Sequence, residues 1–379
     1  MSDLDTTHAG AVLSIDLDAI CDNWRALRKR LRSAECAAVV KADAYGLGAL
    51  KVAPALYRAG CRSFFVAHLN EAIALRPALP DAAAIYVLHG AHPGAEAAFV
   101  AHRLVPVLNS LPQVAAWQKL GVMHGRALPA ILQVDTGMAR LGLAADELAQ
   151  VAAVPAVLQG IDLKFVISHL ASAEEPDNPA NGEQLARFRA VLARLPRARA
   201  SLANSSGIFL GDDYHFDLVR PGAALYGVAP VAGAANPLRP AIRLQGKVLQ
   251  TRSIAAGTGV GYNHRWRAAA AARIATVAVG YADGYLRSLS NRGFAYVDGV
   301  PLPIVGNVSM DTITVDVSAL PEARVGEGTL VDLAGPDNGV DAIAARAGTI
   351  GYEILTSLGQ RYARRYCGDA AAVRQAEAA

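Results

Sequence analysis

The chain has 379 residues, of which 53% are hydrophobic and 18% are charged, and its formal net charge is +3. This length allows two domains, and so small a charge gives no reason to expect a nucleic-acid partner or an acidic membrane. The longest stretch without a charged residue, 221–238, contains three prolines and three glycines, so it does not predict a membrane helix.

The first residues and the cysteines bear on the compartment. Residues 1–10 include Asp3 and Asp5 and lack a basic start followed by an apolar run, so no secretory signal is expected. The four cysteines are Cys21, Cys36, Cys61 and Cys367. Neither CxxC spacing nor metal-ligand spacing occurs among them, and reduced structural thiols are expected. The sequence therefore predicts a soluble cytoplasmic protein without a metal site.

Eight short apolar runs alternate with helix-like segments between residues 37 and 220. The runs are 37–40, 63–67, 84–88, 104–108, 130–134, 163–167, 199–203 and 216–219. Most are rich in Val, Ile, Leu or Phe without polar alternation, which is typical of strands buried on both faces. Helix-like stretches between them include Ala49–Ala59, 111–120 and 183–195. Eight such units predict a closed (β/α)8 TIM-type barrel in an α/β protein.

Polar or charged side chains follow each of the eight runs. In chain order these are Lys41, His68, His89, Asn109, Asp135, Ser168 with His169, Asn204 with Ser205, and Arg220. A strand can simply end in a polar loop. The carboxyl ends of barrel strands converge on one face, however, where barrel enzymes place their chemistry. Eight such endings therefore predict a functional rim.

The pattern changes after a linker rich in proline and glycine, 229–240. The runs that follow are 273–279, 296–300, 312–317 and 329–333, separated by Gly and Pro turns, and they predict a β-rich domain. A helix over about 352–366 is expected near the end of the chain, and the opening run, 12–16, is expected to pair with the second sheet. We therefore divide the chain into a barrel domain, 1–235, and a smaller β-rich C-terminal domain, 236–379.

Lys41 lies at the end of the first buried run, in the string VVKADAYGLG (39–48). Burying an ammonium group is costly, so a lysine here suggests a Schiff-base amine with a lowered pKa. Taken alone, the residue is explained more simply as a solvated lysine at a strand end. The surrounding sequence decides between the two interpretations.

VVKADAYGLG resembles the pyridoxal-phosphate attachment motif of alanine racemases. Further strings resemble that family's motifs in the family's order: DTGMARLG (135–142), SHLA (168–171), ANSSG (203–207), VRPGAALYG (219–227), VGY (260–262), VGYADGYLR (279–287), GNVSMD (306–311) and GYEILTSLGQRYARRY (351–366). Each string alone is weak evidence, but together they span nearly the whole chain. The resemblance implies a pyridoxal-phosphate enzyme with a barrel and a β-domain, working as a head-to-tail homodimer.

Lys41 is then implied to hold the cofactor as a Schiff base and to act as one of two proton-transfer groups. Racemisation removes the α-proton from one face of the α-carbon and returns a proton to the other, which requires an acid or base on each side. The second group matches Tyr262, with His169 and Arg220 as its partner network. Arg220 also matches an arginine that donates to the pyridine nitrogen of the cofactor.

The cofactor phosphate is implied to lie at the ends of the seventh and eighth strands, a common place for phosphate in barrels. Ser205 offers a hydroxyl there, and Gly222 and Ala223 offer backbone N–H groups. Tyr45 and Tyr352 match phosphate-binding tyrosines, although ordinary packing at the domain interface would also explain them.

Four positions concern the substrate. Arg140 matches an arginine that binds the substrate carboxylate, a role that suits a guanidinium because it can bind through two N–H groups. Met310 and Tyr281 match a backbone N–H contact and an entrance-lining tyrosine. Gln133 stands where several relatives carry a carbamylated lysine, so another anion, such as a bound chloride, is expected to orient Arg140.

The sequence thus favours interconversion of L- and D-alanine, either for cell-wall synthesis or for alanine catabolism. A racemase with other or broader substrates would share the same frame, although exported broad-range relatives carry a cysteine pair that this chain lacks. A decarboxylase with the same barrel is disfavoured by the contexts of Tyr262 and Arg220. A non-catalytic pyridoxal-phosphate carrier is a lone barrel and lacks the β-rich domain.

Overall fold

The computed structural model describes residues 6–368; Asp3, Asp5 and residues 369–379 of the predicted second domain lie outside the described residues. The helices are α1 (Leu17–Arg28), α2 (Lys41–Tyr45, a short segment with left-handed backbone), α3 (Ala49–Ala59), α4 (Leu69–Leu75), α5 (Glu96–Ala101), α6 (Leu111–Met123), α7 (Ala145–Ala153), α8 (Pro179–Leu192), α9 (Val340–Ala347) and α10 (Gly351–Thr356). The strands of the first half are β1 (Ala11–Asp16), β2 (Glu35–Cys36), β3 (Ala38–Val39), β4 (Ser63–Val66), β5 (Ala84–Val87), β6 (Val105–Leu108), β7 (Leu128–Gln133), β8 (Ile161–Ile167), β9 (Arg199–Ser201) and β10 (Leu218–Val219). Those of the second half are β11 (Ile242–Ile254), β12 (Gly259–Val260), β13 (Trp266–Arg267), β14 (Ala272–Val277), β15 (Phe294–Val297), β16 (Val300–Pro303), β17 (Ile313–Asp316), β18 (Leu330–Ala334) and β19 (Ala363–Cys367).

The predicted barrel is confirmed. Strands β3 to β9 form one parallel sheet in chain order, and β10 pairs with β2 in parallel. The Asp217 N–H donates to the Ala200 carbonyl at 3.0 Å, which joins β10 to the β9 side. Runs such as Ser63–Val66 are fully buried because helices cover the outside while side chains fill the inside.

The predicted β-rich second half is confirmed as well. Its main sheet has the order β16-β15-β18-β11-β1-β19, and the long strand β11 also pairs with β14, which pairs with β17. The opening strand β1 pairs antiparallel with β11 and parallel with β19, as expected for run 12–16. The division of the chain at residue 235 stays a prediction.

The expected helix over 352–366 is wrong in its second part. Only Gly351–Thr356 is helical, and Ala363–Cys367 forms strand β19. Gly359 follows the helix, and its N–H donates to the Asp283 carbonyl at 2.9 Å, which directs the chain out of the helix. Residues 363–367 then gain backbone hydrogen bonds from β1, and this long-range pairing outweighs their helix propensity.

Helix α1 shows how the elements pack on the barrel. The side chain of Asp16 accepts a hydrogen bond from the Ala19 N–H at 2.8 Å and caps the helix start. Ile20, Trp24 and Leu27 are spaced at helical intervals and are at most 2% exposed.

No helix within residues 6–368 has the length and apolar character that crossing a bilayer would need.

Gly284 and Gly299 give a matched pair for testing the packing within the second half of the chain. Both have positive φ, +91° and +78°, but a Cβ on Gly284 would lie 1.8 Å from the Ser357 carbonyl oxygen, whereas a Cβ on Gly299 would meet open space. We expect Gly284→Ala to cost about 2 kcal/mol more than Gly299→Ala, because both add left-handed strain and only the first adds overpacking. Thermal unfolding of both variants measures the difference, and equal melting temperatures would contradict the packing described here.

Candidate active site

A cavity of about 800 Å³ lies at the mouth of the barrel. Nine of the predicted site residues line it: Lys41, Tyr45, Arg140, His169, Ser205, Arg220, Gly222, Ala223 and Tyr352. The predicted rim is present in part, since His89 and Asn204 also line the cavity, whereas His68, Asn109 and Asp135 are not among its described lining residues. Strand ends far apart in the sequence therefore share one site.

Three predicted site residues lie elsewhere in the second half. Tyr262 is 72% exposed, Met310 is 54% exposed and Tyr281 is 43% exposed, and none of them lines the cavity at the barrel mouth within residues 6–368. Tyr262 lies instead in a second surface depression together with Asn307. Within one chain, the two predicted proton-transfer groups are thus separated.

The segment after Lys41 is a left-handed turn. Ala42, Asp43, Ala44 and Tyr45 have φ values of 51°, 53°, 54° and 55°, and none of them is glycine. The left-handed conformation costs L-residues roughly 1–2 kcal/mol each, so contacts from the rest of the fold must hold this turn. Backbone strain of this kind often accompanies a functional site.

Several hydrogen bonds hold the turn in place. The Asp43 carboxylate accepts from the Ala49 N–H at 2.7 Å, at the start of α3. Arg364, in β19, donates to the Gly46 carbonyl at 2.6 Å, so a residue from the second half of the chain stabilises the turn. The ring of Tyr45 packs against Tyr226, with ring centroids 4.8 Å apart. The turn that follows Lys41 is therefore held by contacts with α3, with β19 and with Tyr226.

Positive charge dominates the cavity. Burial lowers the pKa of Lys41, and the nearby Arg140 lowers it further, while Glu71 opposes the change. Burial, Arg220, Arg140 and Lys41 together lower the pKa of His169 to about 3, so its imidazole is neutral at physiological pH. A lysine amine with a lowered pKa is more often unprotonated and is a better nucleophile and base.

Arg220 is buried and makes hydrogen bonds only to neutral acceptors among the described residues. It donates to the Ser168 carbonyl at 2.5 Å, to the Leu202 carbonyl at 3.4 Å and to the Ser201 hydroxyl. These bonds use Nη1 and Nη2 and leave Nε free of a protein acceptor within residues 6–368. Burial lowers the pKa of Arg220 to about 10, which still leaves it charged at neutral pH.

Ser205, Gly222 and Tyr45 form a compact corner of the cavity. The Ser205 oxygen accepts from the Gly222 N–H at 3.0 Å and from the Ala224 N–H at 3.2 Å, so its own hydrogen is left to donate. A Cβ on Gly222 would lie 2.3 Å from the Tyr45 hydroxyl, so only glycine lets the tyrosine reach this corner. The N–H of Gly222 is thus used within the protein, unlike the free donor that the sequence suggests.

Two further contacts shape the cavity wall. Tyr352, from α10, donates its hydroxyl to Glu174 at 3.0 Å. The Gln133 side chain donates to the Leu141 carbonyl at 3.2 Å and so holds the loop that carries Arg140. Gln133 is uncharged and cannot supply the anion that a carbamylated lysine would place beside Arg140.

These features fit the cofactor that the sequence resemblance implies. A phosphate group needs hydrogen-bond donors, and the Ser205 hydroxyl offers one in the corner beside Gly222. A pyridine nitrogen needs one donor, and Arg220 Nε is a charged donor without a protein acceptor in the described chain. Lys41 offers the amine that a pyridoxal aldehyde requires.

Comparison with known proteins decides the family. Residues 15–230 match the family model described as "Alanine racemase, N-terminal domain", and residues 241–366 match "Alanine racemase, C-terminal domain". The chain belongs to the alanine racemase family. Among its relatives, the catabolic alanine racemase of Mesorhizobium japonicum is 54% identical over 95% of this chain and 94% of the relative. The alanine racemase of Rhodospirillum rubrum is also 54% identical, over 95% and 97% of the two chains.

Solved alanine racemases share the fold. The crystal structure of alanine racemase from Bartonella henselae with covalently bound pyridoxal phosphate superposes with a TM-score of 0.92 at 45% identity, covering 95% of this chain and all of that chain. The biosynthetic alanine racemase of Pseudomonas aeruginosa superposes with a TM-score of 0.88 at 37% identity, over 95% and 100% of the two chains. The family assignment therefore rests on both sequence and structure.

Sequence reasoning missed two acidic residues of this alanine racemase site. Glu174 lines the cavity and accepts from Tyr352, but its position in a loop gives no signal in the sequence. Glu71 contacts the backbone beside Lys41. A signal existed for Glu71, because it stands three residues after His68 at the start of α4, the spacing of a capping box.

The strain of the left-handed turn can be measured. Ala42 and Ala149 are both exposed, but Ala42 has a φ of 51° whereas Ala149 lies within the regular helix α7. We expect Ala42→Gly to stabilise the protein by about 0.5–1 kcal/mol, because relief of strain exceeds the entropy gained by the unfolded chain. Ala149→Gly should instead cost about 1 kcal/mol. Chemical denaturation gives both values, and destabilisation by Ala42→Gly would refute stored strain at this position.

Proposed function

We propose that this chain interconverts L- and D-alanine with pyridoxal phosphate bound to Lys41. The single observation that carries the proposal is the placement of Lys41, with its lowered pKa, in a cavity that also holds Arg140 and Arg220. Such a cavity suits a ligand with several negative charges, and a cofactor phosphate and a substrate carboxylate supply them. The family to which the chain belongs supports the same activity.

Residues of the barrel hold the cofactor in this proposal. Ser205 donates to the phosphate, Tyr45 and Tyr352 border it, and Arg220 donates to the ring nitrogen. When bound, pyridoxal phosphate supplies an electron sink that eases loss of the α-proton. Because Arg220 stays protonated at neutral pH, the ring nitrogen receives a hydrogen bond but no proton, which keeps the sink weak and disfavours side reactions.

Lys41 and Tyr262 serve as the two proton-transfer groups. The Lys41 amine takes or returns the α-proton on one face of the α-carbon, and the Tyr262 hydroxyl does so on the other. His169 is neutral and lies among cations, so together with Arg220 it can polarise the phenol when the tyrosine is seated beside them. The reaction is balanced, because one proton leaves and one is returned.

Tyr262 reaches the cavity from a second copy of the chain in this proposal. Its exposed side chain, and those of Met310 and Tyr281, are available to cover another chain's barrel mouth. A two-fold homodimer would make two equivalent sites, each with Lys41 from one chain and Tyr262 from its partner. Met310 would then offer a backbone N–H to the substrate, and Tyr281 would line the entrance.

Arg140 binds the substrate carboxylate. Its guanidinium has no hydrogen-bonded partner among the described residues, and its charge acts on both Lys41 and His169. A bound anion such as chloride beside Gln133 would orient it.

A cytoplasmic location belongs to the same proposal and is supported by the free state of all four cysteines.

The activity can be tested with two lysine variants. We expect the purified chain, supplied with pyridoxal phosphate, to racemise L-alanine, and Lys41→Ala to lose about a thousandfold or more of that rate. Borohydride should trap the cofactor on wild-type protein but not on Lys41→Ala. Lys51→Ala, ten residues further along in α3, is the matched control and should keep both properties.

Three results would count against the proposal. These are the absence of alanine racemisation in the wild type, a trapped cofactor in Lys41→Ala, and faster racemisation of L-serine, L-lysine or L-arginine than of L-alanine. Faster racemisation of one of these other amino acids would indicate a racemase with another substrate range.

The shared site can be tested by mixing two inactive parents, Lys41→Ala and Tyr262→Phe. In a mixed dimer, one site carries both changes and the other carries neither. With random pairing about half of the dimers are mixed, so about a quarter of all sites should regain full activity. The measurement is the racemisation rate after subunit exchange, which a tagged pull-down verifies. Proven exchange without recovered activity would show that both residues of a site come from one chain.

A further inference from the structure

The carboxylate of Glu71 joins the ends of two neighbouring barrel strands. Its Oε1 accepts from the Ala42 N–H at 2.6 Å, directly after Lys41. Its Oε2 accepts from the Ala67 N–H at 2.8 Å and from the His68 N–H at 2.9 Å, just after β4. The carboxylate of one residue of α4 thus accepts from three backbone N–H groups, one of them after β3 and two after β4.

Ala42 is the place where such a contact matters most. It is the first residue of the left-handed turn, and the turn runs against the preference of L-residues from there to Tyr45. The far end of the turn is held by Arg364, which donates to the Gly46 carbonyl, while Asp43 within the turn accepts from the Ala49 N–H. Among the described residues, Glu71 is the side chain that accepts from the near end.

A carboxylate suits this position for two reasons. Three N–H donors share its two oxygens, whereas a glutamine amide would offer one acceptor oxygen and one donor nitrogen. Its charge also faces Lys41 and raises the pKa of that amine, which partly offsets the effects of burial and Arg140. Glu71 is partly buried and is not among the described residues that line the cavity.

We propose that Glu71 is a positioning residue that holds the left-handed turn, and with it Lys41, in register with the barrel rim. The effect on catalysis rests on the function proposed above, but the structural role does not. Loss of the contact frees the near end of the turn, so that Lys41 and Tyr45 no longer keep a fixed place relative to the phosphate corner.

Glu147 provides a matched control. It also lies three residues after the N-cap of its helix, α7, and its carboxylate also binds backbone N–H groups from two segments, Leu111 at 3.0 Å and Ala144 at 3.1 Å. It does not line the cavity among the described residues. Glu147→Gln and Glu147→Asp therefore disturb a comparable set of carboxylate–backbone hydrogen bonds but leave the left-handed turn unchanged.

Hydrogen exchange on the full-length chain tests the structural part. We expect Glu71→Gln to speed exchange of the backbone amides in 42–48 at least fivefold, and Glu147→Gln to leave that segment unchanged. Glu71→Asp keeps the charge but is one methylene shorter, and it should behave like Glu71→Gln. Exchange in 42–48 that stays at the wild-type rate in Glu71→Gln would overturn the proposal, whether or not the chain racemises alanine.

Cofactor binding and kinetics test the positioning part. The dissociation constant of pyridoxal phosphate, measured on full-length chain stripped of cofactor, should rise about tenfold in both Glu71 variants and less than twofold in both Glu147 variants. The kcat for alanine should fall about tenfold while KM changes less than twofold, because Arg140 is untouched. Equal effects of the Glu71 and Glu147 variants, or wild-type behaviour of Glu71→Asp, would refute positioning by this contact. If Glu71→Gln is too unstable to purify, Glu71→Asp is compared with Glu147→Asp in the same measurements.

Discussion

Backbone hydrogen bonds between the first and last strands of the barrel determine where the groups of the site lie. The N–H of Val39 donates to the Pro221 carbonyl at 2.8 Å, next to the parallel pairing of β2 with β10. Lys41 follows Val39 by two residues, and Gly222 follows Pro221 by one, so closure brings the lysine and the phosphate corner together. The Tyr45 hydroxyl then fits against Gly222 with no room for a Cβ. A register shift of one residue would separate these groups.

Burial makes the positive charges of the cavity energetically costly. Arg220 is buried and bonded only to neutral acceptors in the described chain. Burial lowers the pKa values of Lys41 and His169, and the charge of Arg140 lowers both further. An anionic ligand relieves this cost, since it supplies a countercharge to the cationic side chains that line the cavity. Ligand binding should therefore stabilise the fold as well as prepare the chemistry.

The second half of the chain contributes to the site in two ways. Within its own chain, Arg364 holds the turn at Gly46, and Tyr352 borders the cavity. Its exposed groups Tyr262 and Met310 point to a role at another barrel in the proposed dimer. The sequence identified these residues through motifs, but motif order carries no information on which chain completes a site. Their exposure supports the proposal that they serve the barrel of a second chain.

The sequence by itself determined the barrel, the β-rich half and the importance of Lys41, because buried apolar runs and strand-end motifs are local patterns. It could not determine the left-handed turn, since Ala42 to Tyr45 have no glycine and their local preference opposes it. Contacts from Glu71 and Arg364, distant in sequence, hold that turn. Likewise 363–367 is a strand because β1, about 350 residues earlier, offers hydrogen bonds. Tertiary structure decided both, because long-range contacts outweighed local propensity.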